Sequence, residues 1–448
     1  MLSRLREFGS ALVIFGGIVL QAAVAILVLS LLARSCHDPY DCFDLTDGIG
    51  SRGPITFVAR EGDSRTWVKI IDKWNRAHPH ENVTLTTQSG DSDQQRLDIA
   101  EHLWNFKWDS GYDVVTFDTV WTTEFAAHEW LQPLSGKLTL DTSKIPAPIV
   151  RGATYSHTLN AVPLTTDAGM LYYRKDLVPV PPTTWDEMMA YCQIAVQNKI
   201  GCYAGQFDND EDLTVNAVEA ISTFGGRILD ESGKAAVNTP QAEIGLGKLV
   251  EAFRNGSIPS EAISYRAEQS RQAFEAGQLL FLRNWSEAYH LVATEGTSLV
   301  KDKFAVAPLP GPSGSGVSTL GGRSAGINVT TKHKSTAIDF LKFLTDAEQQ
   351  ATLLVETSSA PVVADLYTDA ALIAKFPYLP TLAVSLRSAV ARPLTPSYPA
   401  ASKALRNNTY AALKGEKNVA RTVADLQTAL EGADMEPVGG CPHYIGGK

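Results

Sequence analysis

The stretch YDVVTFDTVWTTEFAAHEWLQPL, residues 112–134, decides the fold class of this chain. Val114, Val115 and Phe117 read as a buried strand, which turns at Asp118 into an aromatic-rich helical segment carrying Trp121, Phe125 and Trp130. In an open α/β sheet, ligands bind outside the carboxyl ends of the strands. Asp118 and Trp121 are therefore expected to face a crevice, with core packing the competing assignment for Trp121 and Phe125.

Working outward, Ile55 to Ala59 reads as a strand, and Trp67, Ile70, Ile71 and Trp74 follow at the spacing of a buried helix face. A strand over residues 83–87 and a helix over 93–106 then lead into the opening stretch, a β-α-β-α-β order that predicts a parallel sheet wound with helices. Further along, residues 169–173 and 279–282 read as strands, and Trp185 to Gln197 as a helix capped by Thr183 or Thr184. Helices are also expected at 240–255, 267–276 and 335–345, a strand at 326–330, and mainly helix from there to about residue 432. The Gly-rich residues 311–322 read as a flexible loop and contain no phosphate-binding GxxxxGK[ST] pattern.

A chain of 448 residues exceeds one hydrophobic core and predicts two or three units. Its net charge of −10, with no basic stripe, argues against a nucleic-acid partner. Cys192 and Cys202 are close enough in sequence to close a small disulfide loop, two free thiols being the alternative. Residues 11–33 carry no charged side chain and, as a helix, span roughly 34 Å, enough to cross a bilayer. Arg4 and Arg6 before that run place the rest of the chain on the extracytoplasmic side. Two tethers stay open: an uncleaved helix, or cleavage at Ser35 with Cys36 lipidated, although Ala33 and Arg34 suit that site poorly. Residues 36–53 read as a spacer, and Cys42 and Cys441 could pair to tie the tail of residues 436–448 back to it.

Enzyme motifs fail one by one. His128-Glu129 lacks the second histidine of HExxH, His78-Pro79-His80 sits on a predicted turn, and CxxC does not occur. A glycosidase needs two carboxylates across one bond, for which Asp118 and Glu124 are the nearest candidates in sequence. A carboxylate beside an indole also suits plain sugar binding, with hydroxyls on the acid and the apolar face of a pyranose on the ring.

Several segments together resemble the carbohydrate-binding proteins of ABC importers: DTVWTTEFAAHEWLQPL at 118–134, AVPLTTDAGMLYYRKDL at 161–177, PPTTWDEM at 181–188, FEAGQ at 274–278, FAVAPLP at 304–310 and GGRSAGI at 321–327. Among these the chain is most similar to the trehalose- and maltose-type binding lipoproteins of actinobacteria, over about residues 55–432. The resemblance implies an α/β, two-lobed periplasmic-binding-protein-like fold of the maltose-binding type, with a hinge and a central cleft, behind an N-terminal membrane helix. It assigns 54–162 and 303–333 to an N-terminal lobe, 163–302 and 334–435 to a C-terminal lobe, and crossings near 162, 303 and 333.

The resemblance also implies site residues. Asp118 holds sugar hydroxyls, Trp285 stacks on a ring, and Arg392 in RPLTPSY offers two hydrogen bonds, with Tyr398 beside it. Arg96, Asp167 and Glu61 contact hydroxyls, and the backbone of Gly321 and Gly322 approaches the sugar. The expected protein is a monomeric extracytoplasmic receptor that passes a disaccharide to an ABC permease, without cofactor or metal. A tethered glycoside-active enzyme and a sugar sensor for a signalling protein are the alternatives.

Overall fold

The computed structural model describes residues 48–89, 92–104, 111–294 and 296–433. Residues 11–33, Cys36, Cys42 and Cys441 lie outside the described residues. Among the described residues no helix is long and apolar enough to cross a membrane.

The opening stretch forms the middle of a five-stranded sheet, in the order Val83–Gln88, Ile55–Arg60, Val114–Asp118, Arg323–Ile327, Val162–Pro163. The first three strands run parallel. Arg323–Ile327 then enters antiparallel to both of its neighbours. The helix Ser64–Ala77 covers one face, and its expected apolar side is the buried one: Trp67, Ile70, Ile71 and Trp74. The Trp67 ring meets Phe57 edge-on at 4.9 Å.

A second sheet builds the other lobe, in the order Phe304–Pro308, Met170–Arg174, Leu279–Asn284, Gly201–Ala204. All six residues of Leu279–Asn284 are buried, as a central strand covered on both faces requires. The expected helix at 185–197 is two helices, Trp185–Ala190 and Cys192–Asn198, the first closed by a Thr184–Glu187 capping box. A disulfide joins Cys192 to Cys202. Helices Glu211–Thr223, Pro240–Arg254, Tyr398–Leu413 and Val419–Ala433 share a separate apolar cluster around Leu246, Leu405 and Leu426.

The structure corrects the expected lobe boundaries in two places. Residues 304–308 pair with Met170–Arg174 in the second sheet, not in the N-terminal lobe. Helices Lys334–Leu344 and Ala347–Thr357 belong to the first lobe, where Phe340 meets both Phe57 and Trp74 at 5.4 Å. Two ion pairs, Lys69–Glu356 and Lys73–Glu348, bind the second of these helices to Ser64–Ala77. The second and third crossings therefore fall at about 309–322 and 358–362, later than expected.

The crossing segments lie side by side. Arg323 and Thr165 exchange backbone hydrogen bonds, Thr166 N–H donates to Ala360, and Leu320–Gly321 pairs with Asp167–Ala168. The Gly-rich segment is thus a loop only in part. The spacer reading fails at its end too: Arg52 forms ion pairs with Glu81 and Asp339, which holds it to the first lobe.

The assignment of 334–357 predicts that Phe340→Ala lowers the unfolding free energy by about 3–5 kcal/mol in urea denaturation. A cost below about 1 kcal/mol would mean that this helix is peripheral to the first lobe.

Candidate functional site

Between the lobes lies a cavity of about 460 Å³. From the first lobe it is lined by Arg60, Ser92, Asp93, Asp118 and Arg323. The second contributes Asn209 to Asp212, Val215, Arg266, Trp285, Glu287, Arg392 and Arg406, and the crossing segments contribute Thr165 to Asp167, Gly321 and Gly322.

Asp118 ends its strand, and the antiparallel register places Arg323 directly opposite. The consequence is an ion pair of 2.6 Å, with Arg323 also donating to Gln95 at 2.7 Å. The Ser92 hydroxyl donates to the other Asp118 oxygen. Burial disfavours ionisation of Asp118, but Arg323, Ser92, Arg392 and Arg60 outweigh it and hold the carboxyl below its ordinary range.

Across the cavity, Glu211 opens the helix Glu211–Thr223 behind its N-cap, Asp210. It accepts hydrogen bonds from Arg392 Nη1 at 2.7 Å, from Ser402 Oγ at 2.5 Å and from the Tyr398 hydroxyl. Burial works against the charge on Arg392, yet Tyr398, Glu211 and Asp118 keep it protonated well above its ordinary range. Arg392 is 8% exposed, and its Nε–H has no partner among the described residues. The other buried arginines among the described residues spend that edge on carboxylates, Arg271 on Glu268 and Arg283 on Glu219.

Trp285 follows the strand Leu279–Asn284, with its backbone held by the Asn284 side chain and the Tyr172 hydroxyl. Its indole N–H points at Asp212, 3.4 Å away. Gly321 sits against the ring, since a Cβ there would come within 2.9 Å of Trp285 Cζ3. Gly322 has φ +115°, and a Cβ would come 2.3 Å from the Thr165 carbonyl oxygen, so only glycine fits this crossing. Asp167 is buried and accepts backbone N–H groups from Ala168 and Ser286.

Of the residues singled out in the sequence, Asp118, Asp167, Trp285, Gly321, Gly322 and Arg392 therefore meet at one cavity. Arg96 and Glu61 do not line it. Arg96 is locked on Glu124 by two hydrogen bonds, with its guanidinium 5.3 Å from the centroid of Trp121. Glu61 is exposed on the turn after Ile55–Arg60, and its neighbour Arg60 reaches the cavity instead. Trp121 is core as well: 2% exposed, it donates to Ser92 and meets the Tyr398 ring edge-on at 5.2 Å. Tyr398 is fully buried behind the lining. Because Glu124 is buried under Arg96, Asp118 and Glu124 do not face one bond as a glycosidase pair would.

Sequence reasoning missed Arg323, Glu211, Asp210 and Arg266. The signal for two of them was present: NDEDL follows the strand Gly201–Ala204 just before a helix, the same strand-end position that marked Asp118.

The comparisons with known proteins agree with the two-lobed fold. The family profile "Bacterial extracellular solute-binding protein" matches residues 59–351. A "Probable ABC transporter-binding protein" of Deinococcus radiodurans is 36% identical over 300 residues, which cover 64% of this chain and 70% of that one. Maltose-bound MalE3 of T. maritima superposes with a TM-score of 0.76 at 28% identity, covering 84% of this chain and 99% of its own. A cyclic α-maltosyl-1,6-maltose binding protein from Arthrobacter globiformis superposes at 0.73 with 23% identity, covering 85% and 99%, and shares the fold.

Burial and the nearby Glu287 raise Asp167 to about 7, and burial with Asp212 raises Asp210 to about 7. Both groups hold protons in the native state between about pH 4 and 7 that the unfolded chain has lost, so their contribution to stability falls as pH rises through that window. Asp167→Asn keeps an oxygen for Ser286 N–H and removes one of the two titrations. The variant should gain stability relative to the wild type between pH 5 and 8 in urea denaturation, on the order of 1.4 kcal/mol per unit of displacement removed. A difference that stays constant over that range would contradict the assignment.

Proposed function

Since the chain belongs to the bacterial extracellular solute-binding proteins, which carry ligands to ABC transporters and are not enzymes, we propose that its ligand is a neutral disaccharide of the trehalose or maltose type. The observation that carries this reading is the unfilled, buried Nε–H of Arg392 in a cavity that also presents Asp118 and Trp285. A buried donor left unpaired costs roughly 1–3 kcal/mol, and a ligand acceptor beside Arg392 would relieve that cost.

The pairing of charges in the lining supports a neutral ligand. Four of the seven acidic lining residues, Asp118, Glu211, Asp210 and Asp93, are each within ion-pair distance of a lining arginine: Arg323, Arg392, Arg266 and Arg406. An ionic ligand would have to compete with these pairs, whereas a sugar hydroxyl donates and accepts at once and can join them. The free edge of Arg392 suits two adjacent hydroxyl oxygens, and the Trp285 ring suits the C–H face of a pyranose. A volume of about 460 Å³ is within the ordinary range of small-ligand sites. In this reading the ligand bridges groups from both lobes, and the closed shape is the signal passed to the permease.

The chain acts outside the cytoplasm. We further propose that residues 11–33 or a lipid on Cys36 hold it at the outer face of the membrane, as the arginines before an uncharged run support.

Calorimetric titration of the purified protein should give a micromolar Kd, about −8 kcal/mol, for trehalose or maltose, with no monosaccharide released. Trp285→Ala should abolish the heat, and Arg392→Lys should weaken binding about tenfold or more because an ammonium cannot supply the two-pronged edge. Undiminished binding in both variants would place the sugar elsewhere, and release of monosaccharide would overturn the receptor reading.

A further inference from the structure

The indole of Trp285 rests on a second, hidden layer. The guanidinium carbon of Arg283 lies 4.1 Å from the ring centroid, within cation–π distance. Arg283 is fully buried and does not line the cavity. One face of the indole is thereby occupied, which leaves a ligand only the opposite face and the edge beside Gly321.

The guanidinium itself has no freedom to move. Glu219 accepts its Nε–H at 2.8 Å and its Nη2–H at 2.5 Å. Gln206 accepts from Nη1 at 3.1 Å and donates to the Arg283 carbonyl at 2.8 Å. Gly169 closes the remaining side, where a Cβ would come within 2.6 Å of Nη2. Glu219 also accepts the backbone N–H of Thr319 at 3.1 Å, two residues before Gly321. The same ion pair therefore touches the support of the indole and the segment that carries the glycine pair.

We infer that Arg283 is a positioning residue for the ligand site: it fixes the plane of Trp285 from behind and, through Glu219, the placement of the segment leading to Gly321. This inference rests on the cavity being a sugar site in which Trp285 is the stacking ring. A buried ion pair kept only for folding makes a different prediction, because replacing both partners with uncharged groups of similar size is often neutral for stability.

The test uses the double variant Arg283→Met/Glu219→Gln, which keeps an acceptor for Thr319, together with Arg283→Lys, which keeps the charge without the planar fork. In a proton–nitrogen spectrum of the ligand-free protein, the Trp285 indole signal is identified by its loss in Trp285→Phe. It should shift or broaden in both variants, while the Trp74 indole signal, held by the Glu81 carbonyl at 2.8 Å in the other lobe, stays in place. Affinity for maltose or trehalose should fall about tenfold in the double variant and less in Arg283→Lys.

An unmoved Trp285 signal with wild-type affinity would overturn the inference and leave Arg283 a structural residue. If the wild type binds neither sugar, the sugar reading fails and the indole signal alone decides. If the double variant does not fold, the signal in Arg283→Lys decides: displaced, it supports the inference, and unmoved, it overturns it.

Discussion

The carboxylate of Glu211 is the point on which the two lobes converge. It belongs to the second lobe, at the start of the helix Glu211–Thr223, and takes hydrogen bonds from Arg392, Ser402 and Tyr398. The Tyr398 ring in turn packs on Trp121 among first-lobe residues, and Arg392 feels the charge of Asp118 across the cavity. Removing the carboxylate would orphan two buried donors, on Arg392 and Tyr398, at roughly 1–3 kcal/mol each, while the Ser402 hydroxyl keeps Thr214 at 2.8 Å. One group thus orients the aromatic contact between the lobes and the arginine offered to the ligand.

Around that point the cavity is built from paired charges. Asp118 with Arg323 on one wall and Glu211 with Arg392 on the other are held by contacts within their own lobes or crossing segments. Asp93 and Arg406 reach across, 3.3 Å apart, so the lobes are also joined at the rim. Such pairs add little stability where they are exposed, but inside a cleft they keep donors and acceptors aimed before the ligand arrives. Beneath the one aromatic ring of the lining, the Arg283–Glu219 pair plays the same part out of sight of the ligand.

The fold was legible in the sequence wherever a local rule sufficed. The helix face of Trp67, Ile70, Ile71 and Trp74 follows from period alone, and the position of Asp118 follows from the rule that ligands gather at the carboxyl ends of strands. What escaped was non-local. The apolar face of Lys334–Leu344 announces burial but not which sheet it covers, and nothing local in FAVAP at 304–308 tells which lobe it joins. Arg96 is equally instructive: nothing near it in sequence signals that Glu124 takes its guanidinium. Glu211 was hidden because an acidic residue at a helix start reads as helix-terminus chemistry, and only the return of Arg392 and Tyr398 from far along the chain makes it a site residue.

The most direct test of the account is a crystal structure of the protein with its sugar bound. The account predicts a pyranose ring against the Trp285 face opposite Arg283, with hydroxyls on Asp118 and on the Nε edge of Arg392. A sugar bound away from Trp285, with Arg392 Nε still unpartnered, would contradict it.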